Sequence, residues 1–207
     1  MPLDPARHRR HHIYMTNFET RVPEGDNRER AVCADCGHID YQNPKVVVGA
    51  VETVDERVLM CRRAIEPRRG FWTLPAGHLE LGETLEEGAA EEGAAREAME
   101  EATADIRLDG KLAVFSVARI GQVQVIFQGG FAKPEAPAFA AGDESLEAAL
   151  FTWEEIPSDI AFPTVHWALN AWNERRAGPL GIPAGNPPGD PRGVHRLAPT
   201  PPQAGQP

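Results

Sequence analysis

Gly77-His78-Leu79-Glu80-Leu81-Gly82-Glu83-Thr84-Leu85 leads into Glu-Glu-Gly-Ala-Ala twice, at 86–90 and 91–95. Arg96-Glu97-Ala98-Met99-Glu100-Glu101-Ala102-Thr103-Ala104 follows. This stretch decides how the rest of the chain is read. Glu97, Glu100 and Glu101 stand at i, i+3 and i+4, positions that share one face of a helix. Three carboxylates on one face repel each other unless a positive charge lies among them, and the nearby cation is Arg96. Two readings follow from the residues alone. One is a site for a hard divalent cation such as Mg²⁺ or Mn²⁺, which takes carboxylate oxygens and often bridges to substrate phosphates. The other is a solvated acidic face.

The flanking residues bear on that choice. Gly77, five residues, Glu83, a spacer, then Arg96-Glu97-x-x-Glu100-Glu101 resembles the signature of the Nudix hydrolases. The family pattern runs Gly, five residues, Glu, seven residues, Arg-Glu, apolar, any, Glu-Glu, any, Gly, apolar. Here twelve residues separate Glu83 from Arg96, five more than the pattern, and Thr103 stands where the family has Gly. Removing either copy of Glu-Glu-Gly-Ala-Ala restores the spacing, so the excess reads as a tandem duplication. The resemblance covers roughly residues 21–176, through Asn43–Gly49, Cys61–Pro67, Phe71–Gly77 and Glu144–Glu147. It is closest in kind to the subgroup acting on ADP-ribose and FAD, often preceded by a zinc ribbon.

The resemblance implies an α/β/α sandwich with a mixed sheet and a catalytic loop-helix-loop. The residues themselves give α+β: strands around one acidic helix and one C-terminal helix. The resemblance also implies a hydrolase that splits a nucleoside diphosphate linked to another group. Mg²⁺ or Mn²⁺ would sit on Glu97, Glu100 and Glu101, with the Gly77 carbonyl as a ligand and Glu83 as an outer one. Arg96 would orient a glutamate, and Glu144 or Glu147 would act as base on water. Ordinary loop acidity is the other reading of Glu144 and Glu147. ADP-ribose would give AMP and ribose 5-phosphate; FAD would give AMP and FMN.

Five extra residues turn a helix by about 500°, a net offset near 140°. If Gly77 sets the count, Ala95 and Arg96 fall where the paired carboxylates belong. The chain would then be a catalytically impaired Nudix-fold nucleotide-binding protein. If Arg96-Glu97 sets the register, the carboxylates survive and the excess is taken up upstream. A continuous helix from 86 would place Glu92 over Met99 on the apolar face, which is unfavourable for a bare carboxylate. Gly88 and Gly93 offer easier places to loop out. The expectation is a helix that starts near Gly93, with a kept but loosened site.

A chain of 207 residues holds one core domain of about 150 residues plus tails. Its net charge of −10 and pI near 5.2 disfavour nucleic acid as a partner. No apolar run approaches the ~20 residues of a membrane span, and the N-terminus lacks the apolar stretch of a signal peptide. Three cysteines suggest no disulfide framework, and the cytoplasm is the expected location. The expected partner is a small nucleotide substrate. Oligomeric state stays open, although Nudix relatives often form homodimers.

Residues 1–20, with Arg7, His8, Arg9, Arg10, His11 and His12, read as a disordered tail, and Met15 as an alternative start. Residues 21–44 read as a degenerate zinc-ribbon-like segment. Cys33-Ala-Asp-Cys36 has knuckle spacing, but a structural zinc needs four ligands. The position of the earlier cysteine pair holds Thr16-Asn17-Phe18-Glu19, so zinc is not expected. The Nudix domain is placed at 45–177. Within it Lys45–Val54 and Arg57–Arg63 read as antiparallel strands, with Cys61 as a packed core residue. Arg68 and Arg69 serve either substrate phosphates or solubility. Trp72 belongs either to the core or to a substrate contact. Leu112–Ala118 and Gln122–Gln128 form a hairpin, Gly129-Gly130 suggests a bulge, and residues 133–149 form a loop. Leu150–Trp153 reads as a short strand, and Pro163 opens a helix to Arg176. Residues 178–207 carry nine prolines and six glycines in thirty positions and read as a disordered tail.

Overall fold

Lys45–Val54 is the strand on which the sheet is built. Its β-branched residues suit a buried pleated surface, and it is covered on both faces. The structure, a computed structural model, describes residues 17–83 and 89–188, with the backbone alone for 89–93. The His-rich cluster of the N-terminus, Met15 and the final nineteen residues therefore lie outside the described residues.

The chain forms two compact units that divide between Asn43 and Pro44. The first is a three-stranded antiparallel sheet of β1 (Phe18–Arg21), β2 (Arg30–Cys33) and β3 (Ile39–Asp40). Three of the four residues of strand β1 lie inside the segment 1–20 expected to be a tail. Backbone pairing of Phe18 with Cys33 and Arg21 with Arg30 holds it, so no apolar run marks it in the sequence.

The second unit contains β4 (Lys45–Val54), β5 (Arg57–Arg63), β6 (Trp72–Thr73), β7 (Ala76–His78), α1 (Ala89–Ala102), β8 (Ile106–Val117), β9 (Gln122–Phe131), β10 (Ser145–Phe151) and α2 (Pro163–Arg175). The strand order is β10-β5-β4-β9-β8, with β6 on β5 and β7 on β4. Strand β4 runs parallel to β9 and antiparallel to β5 and β7, which makes the sheet mixed. Strand parity sorts the layers. Val48, Ala50 and Val54 pack in the clusters that include Ala94, Ala98 and Ala102 of α1. Val51 packs with Val165, Leu169 and Trp172 of α2. The result is the α/β/α sandwich that the resemblance implies.

Helix α1 begins at Ala89, a turn earlier than Gly93, and residues 84–88 lie outside the described residues. Ala94, Ala98 and Ala102 are fully buried and form the stripe that meets the sheet. The helix stops at Thr103, which takes the left-handed conformation at φ 49°. The Thr103 N–H donates to Met99 O at 3.0 Å, and the Ala104 N–H donates to Ala98 O at 3.1 Å. That is an αL stop, and glycine is the residue such a stop favours. The family's Gly at this place thus has a backbone reason, and Thr103 meets the same demand under strain.

Three further expectations change. Strand β9 passes straight through Gly129 and Gly130; the irregularities lie opposite, in β8 near Asp109 and Leu112, because the twelve residues of β8 face the ten of β9. The expected 133–149 loop ends early, since β10 starts at Ser145 and carries Glu147 into the sheet. Residues 178–188 are not a loose tail. Ala184 bridges to Ala113 in parallel, satisfying backbone groups on the outer edge of β8.

Thr103→Gly is expected to stabilise the fold by about 1 kcal/mol, because a β-branched residue gives up a left-handed conformation. Urea unfolding of the two chains checks this; a loss of stability would contradict the strain at the helix stop.

Candidate active site

The small side chains of the alanine stripe bring α1 close to the sheet, and the acidic residues one position to the side follow it inward. Glu97 and Glu101 are 8% and 5% exposed. The Glu97 carboxylate lies directly on Gly77, so a Cβ at Gly77 would overlap it. Glu101 accepts a hydrogen bond from the Ala76 N–H at 3.3 Å. Thus Pro75-Ala76-Gly77 and α1 grip the two carboxylates between them.

Arg96 neutralises the cluster. Its guanidinium reaches Glu97 at 2.8 Å, Glu100 at 2.9 Å and Glu83 at 3.2 Å. It also donates to His78 O at 3.4 Å. Glu83 in turn accepts from the Glu80 N–H at 2.8 Å, so the loop before the helix is tied to Arg96 despite the longer spacer. Glu100 is the exposed member of the set.

The loop between β9 and β10 closes the other side. Its N–H groups cap the end of α1: Ala140 donates to Ala102 O at 2.8 Å, and Gly142 donates to Glu101 O at 3.0 Å. A side chain at residue 142 would collide with the Glu100 carbonyl, so the loop can approach this closely only with glycine there. The approach brings Asp143 and Glu144 to the same cleft.

Burial dominates the electrostatics. It pushes the Glu101 carboxyl up to about 7, against the Ala76 hydrogen bond, and Glu97 adds to the rise. Burial also raises Glu97 itself, against the pull of Arg96. The Glu80 N–H, together with Arg96, holds Glu83 below the usual carboxylate range. Glu52, on β4, is the group that sequence reading missed. It is fully buried, neither oxygen has a hydrogen-bond partner among the described residues, and burial together with the nearby Glu101 lifts it far above the ordinary range. Burial pushes the Cys61 thiol up to about 12, which suits a packed core residue and not a nucleophile.

Glu97 and Glu101 border a cleft of about 1610 Å³, which Glu83, Glu52 and Cys61 do not line. Gly77, Arg96, Glu97, Glu100, Glu101 and Glu144 all line it. Other residues that the sequence singles out do not. Glu147 pairs weakly with Arg62 at 3.9 Å on the exposed strand β10. Arg68 is held over the ring of Phe71 at 5.3 Å, and neither it nor Arg69 lines the cleft. Trp72 is a core residue, edge-on to Phe151 at 4.9 Å. Among the arginines at 62, 63, 68 and 69, Arg63 lines the cleft; its guanidinium lies 5.2 Å from the centre of the Phe162 ring and its charge pulls Glu101 down. Arg119, Gln122, Gln124 and Asn186 line it as well.

A family model for the NUDIX domain matches residues 43–172, and the Nudix N-terminal zinc-ribbon model matches residues 16–42. The chain belongs to the Nudix hydrolases. It is 43% identical to a NUDIX hydrolase from Nitrosomonas europaea of known structure, with a TM-score of 0.71 over 82% of this chain and 91% of that one. A MutT-like protein of Streptomyces ambofaciens is 33% identical over 56% of this chain and 68% of its own length. An ADP-ribose pyrophosphatase of Methanocaldococcus jannaschii is 30% identical over 59% of this chain and 69% of its own length. Nudix hydrolases act on small nucleotide substrates. The alternative expectation, a binding protein whose carboxylates are displaced by the extra copy, finds no support, since Glu97 and Glu101 face the cleft. Among the described residues no helix is long and apolar enough to cross a membrane.

The family implies divalent metals, and the donors here suit one. All are carboxylate or carbonyl oxygens, and the raised Glu97 and Glu101 are groups that a bound cation would keep ionised. Among the described residues no three such side chains already converge on one point. The ribbon's zinc does not fit. A structural zinc needs four ligands, and Cys33 and Cys36 are the cysteines of this segment; Asn17, at the place of the earlier pair, donates its amide to Asp35 at 2.5 Å.

The folded chain holds the Glu52 proton more tightly than the unfolded chain does. Stability from this group is complete below its ordinary value near 4.5 and is lost as pH rises above it. Glu52→Met keeps an unbranched side chain without the charge. Its gain in melting temperature over the parent is expected to grow from pH 4.5 to pH 8; a constant or shrinking gain would contradict the assignment.

Proposed function

We propose that the cleft hydrolyses the pyrophosphate of a nucleoside diphosphate linked to a second group, ADP-ribose first and FAD next, releasing AMP. The observation that carries this is the grip of Pro75-Ala76-Gly77 on the buried pair Glu97 and Glu101, with Arg96 bound to Glu97 and to the neighbouring Glu100. The similarity to an ADP-ribose pyrophosphatase supports the choice of substrate.

Mg²⁺ or Mn²⁺, held by Glu97, Glu100 and Glu101 with the Gly77 carbonyl and with Glu83 as outer partner, would offset the pyrophosphate charge and activate water. The remaining work belongs to the chain. Arg96 sets Glu83, Glu97 and Glu100 in place before substrate arrives, so the alignment costs nothing during reaction. Arg63, stacked on Phe162, offers a second positive charge to the phosphates. Glu144 takes the proton from the attacking water, and its loop is held by the capped end of α1. Attack at one phosphorus breaks its bond to the bridging oxygen; the water oxygen stays on that phosphate and the bridging oxygen leaves with the other, which gives AMP and ribose 5-phosphate.

Glu101→Gln is expected to lower kcat for AMP release from ADP-ribose by about 100-fold or more, whereas Glu147→Gln stays within about twofold. Release of AMP with Mn²⁺ or Mg²⁺, followed by chromatography, reads both. Undiminished turnover in Glu101→Gln would overturn the assignment of this pair.

A further inference from the structure

Strand β8 is the outer strand of the sheet, and an outer strand leaves N–H and C=O groups unpaired. Residues 178–188 satisfy them in this chain. The Ala184 N–H donates to Leu112 O at 2.9 Å, and the Val114 N–H donates to Ala184 O at 2.8 Å. Two positions further along, Asn186 clamps one residue from both sides: the Ser116 N–H donates to its Oδ1 at 2.8 Å, and its Nδ2 donates to Ser116 O at 2.8 Å. The other end of the segment is tied to α2, where Arg175 donates to Ile182 O at 2.8 Å. Leu180 and Ala184 pack against the core beneath.

The clamped residue precedes the turn 118–120, which carries Arg119 to the cleft. One row of paired residues crosses the sheet from the carboxylates to this point: His78, Val47, Gln124 and Phe115. Three strand spacings of about 4.8 Å put Phe115 roughly 14 Å from His78. Glu97 stands at the His78 end, against Gly77. Arg119, Gln122, Gln124 and Asn186 therefore form a wall distant from the chemistry. The wall is rich in amides, with Gln124 donating to Gln122 at 3.2 Å. Amides and one guanidinium suit the hydroxyls and ring atoms of a nucleoside or sugar, not a metal.

The geometry points to residues 178–188 as a strap that sets substrate specificity, with Asn186 as a positioning residue that holds the 118–120 turn and Arg119 against the half of the substrate distant from the carboxylates. This rests on the hydrolase reading for its substrate, but not for the clamp itself. The test therefore has two arms. In Asn186→Ala, amide exchange at residues 117–121, measured without substrate, is expected to speed up by about fivefold or more, the loss of roughly one hydrogen bond. In the same variant KM for ADP-ribose rises about three- to tenfold while kcat stays within about twofold. Ala184→Pro removes the donor to Leu112 and is expected to move both readouts the same way. Unchanged exchange at 117–121 would overturn the clamp. Faster exchange with unchanged KM would reduce the strap to a cover for β8 and overturn its part in specificity. A parent chain that leaves ADP-ribose intact would count against the hydrolase reading, and the exchange arm would still decide the clamp.

Discussion

The arrangement depends on one electrostatic problem: several carboxylates have to sit together at the edge of a low-dielectric core. Arg96 is the side chain that makes this tolerable, since its guanidinium touches Glu83, Glu97 and Glu100 at once. A planar guanidinium carries five N–H donors in a fixed fork, enough for these three carboxylates and the His78 carbonyl, whereas a lysine ammonium has three. The neutralisation is incomplete. Burial holds Glu101 at about 7 against the Ala76 N–H and the charge of Arg63, and among the described residues Glu52 has no hydrogen-bond partner. A cleft with buried acid groups left under-neutralised is one suited to bind positive charge, because burying such groups costs stability that pairing or a bound cation offsets.

The duplicated segment is reconciled with this site by packing. Ala94, Ala98 and Ala102 are the residues that fit against β4 and β5, and a shift of register would push Arg96 or a glutamate into the sheet. The alanine stripe thus holds the C-terminal half of α1 in place. Glu83 still reaches Arg96 at 3.2 Å although twelve residues separate them. Helix packing, not the distance from Gly77, sets the register.

Much of this was legible in the sequence, and the failures have physical causes. The i, i+3, i+4 spacing of Glu97, Glu100 and Glu101 placed them on one face without any structure. The β-branched run at Lys45–Val54 announced the central strand. Glu52 was visible as a charge within that run, and its parity with Val48 and Ala50 assigns it to the α1 side; only its lack of partners needed the folded structure. The arginines were harder. Arg62, Arg63, Arg68 and Arg69 look alike in sequence, but Arg68 stacks on Phe71 while Arg63 turns to the cleft over Phe162. The strap was read as a tail because proline and glycine signal little core burial. What holds it is pairing with a free strand edge, which composition does not reveal.

The central claim is that α1 takes its register from the alanine stripe and Arg96, so that the five extra residues leave the carboxylates in position. AMP release from ADP-ribose with Mn²⁺, compared between this chain and one lacking residues 91–95, tests it most directly. The account predicts kcat/KM values within about tenfold of each other, because the deletion only shortens what is absorbed upstream. Turnover confined to the shortened chain would contradict it and would mean that the duplication displaces the site.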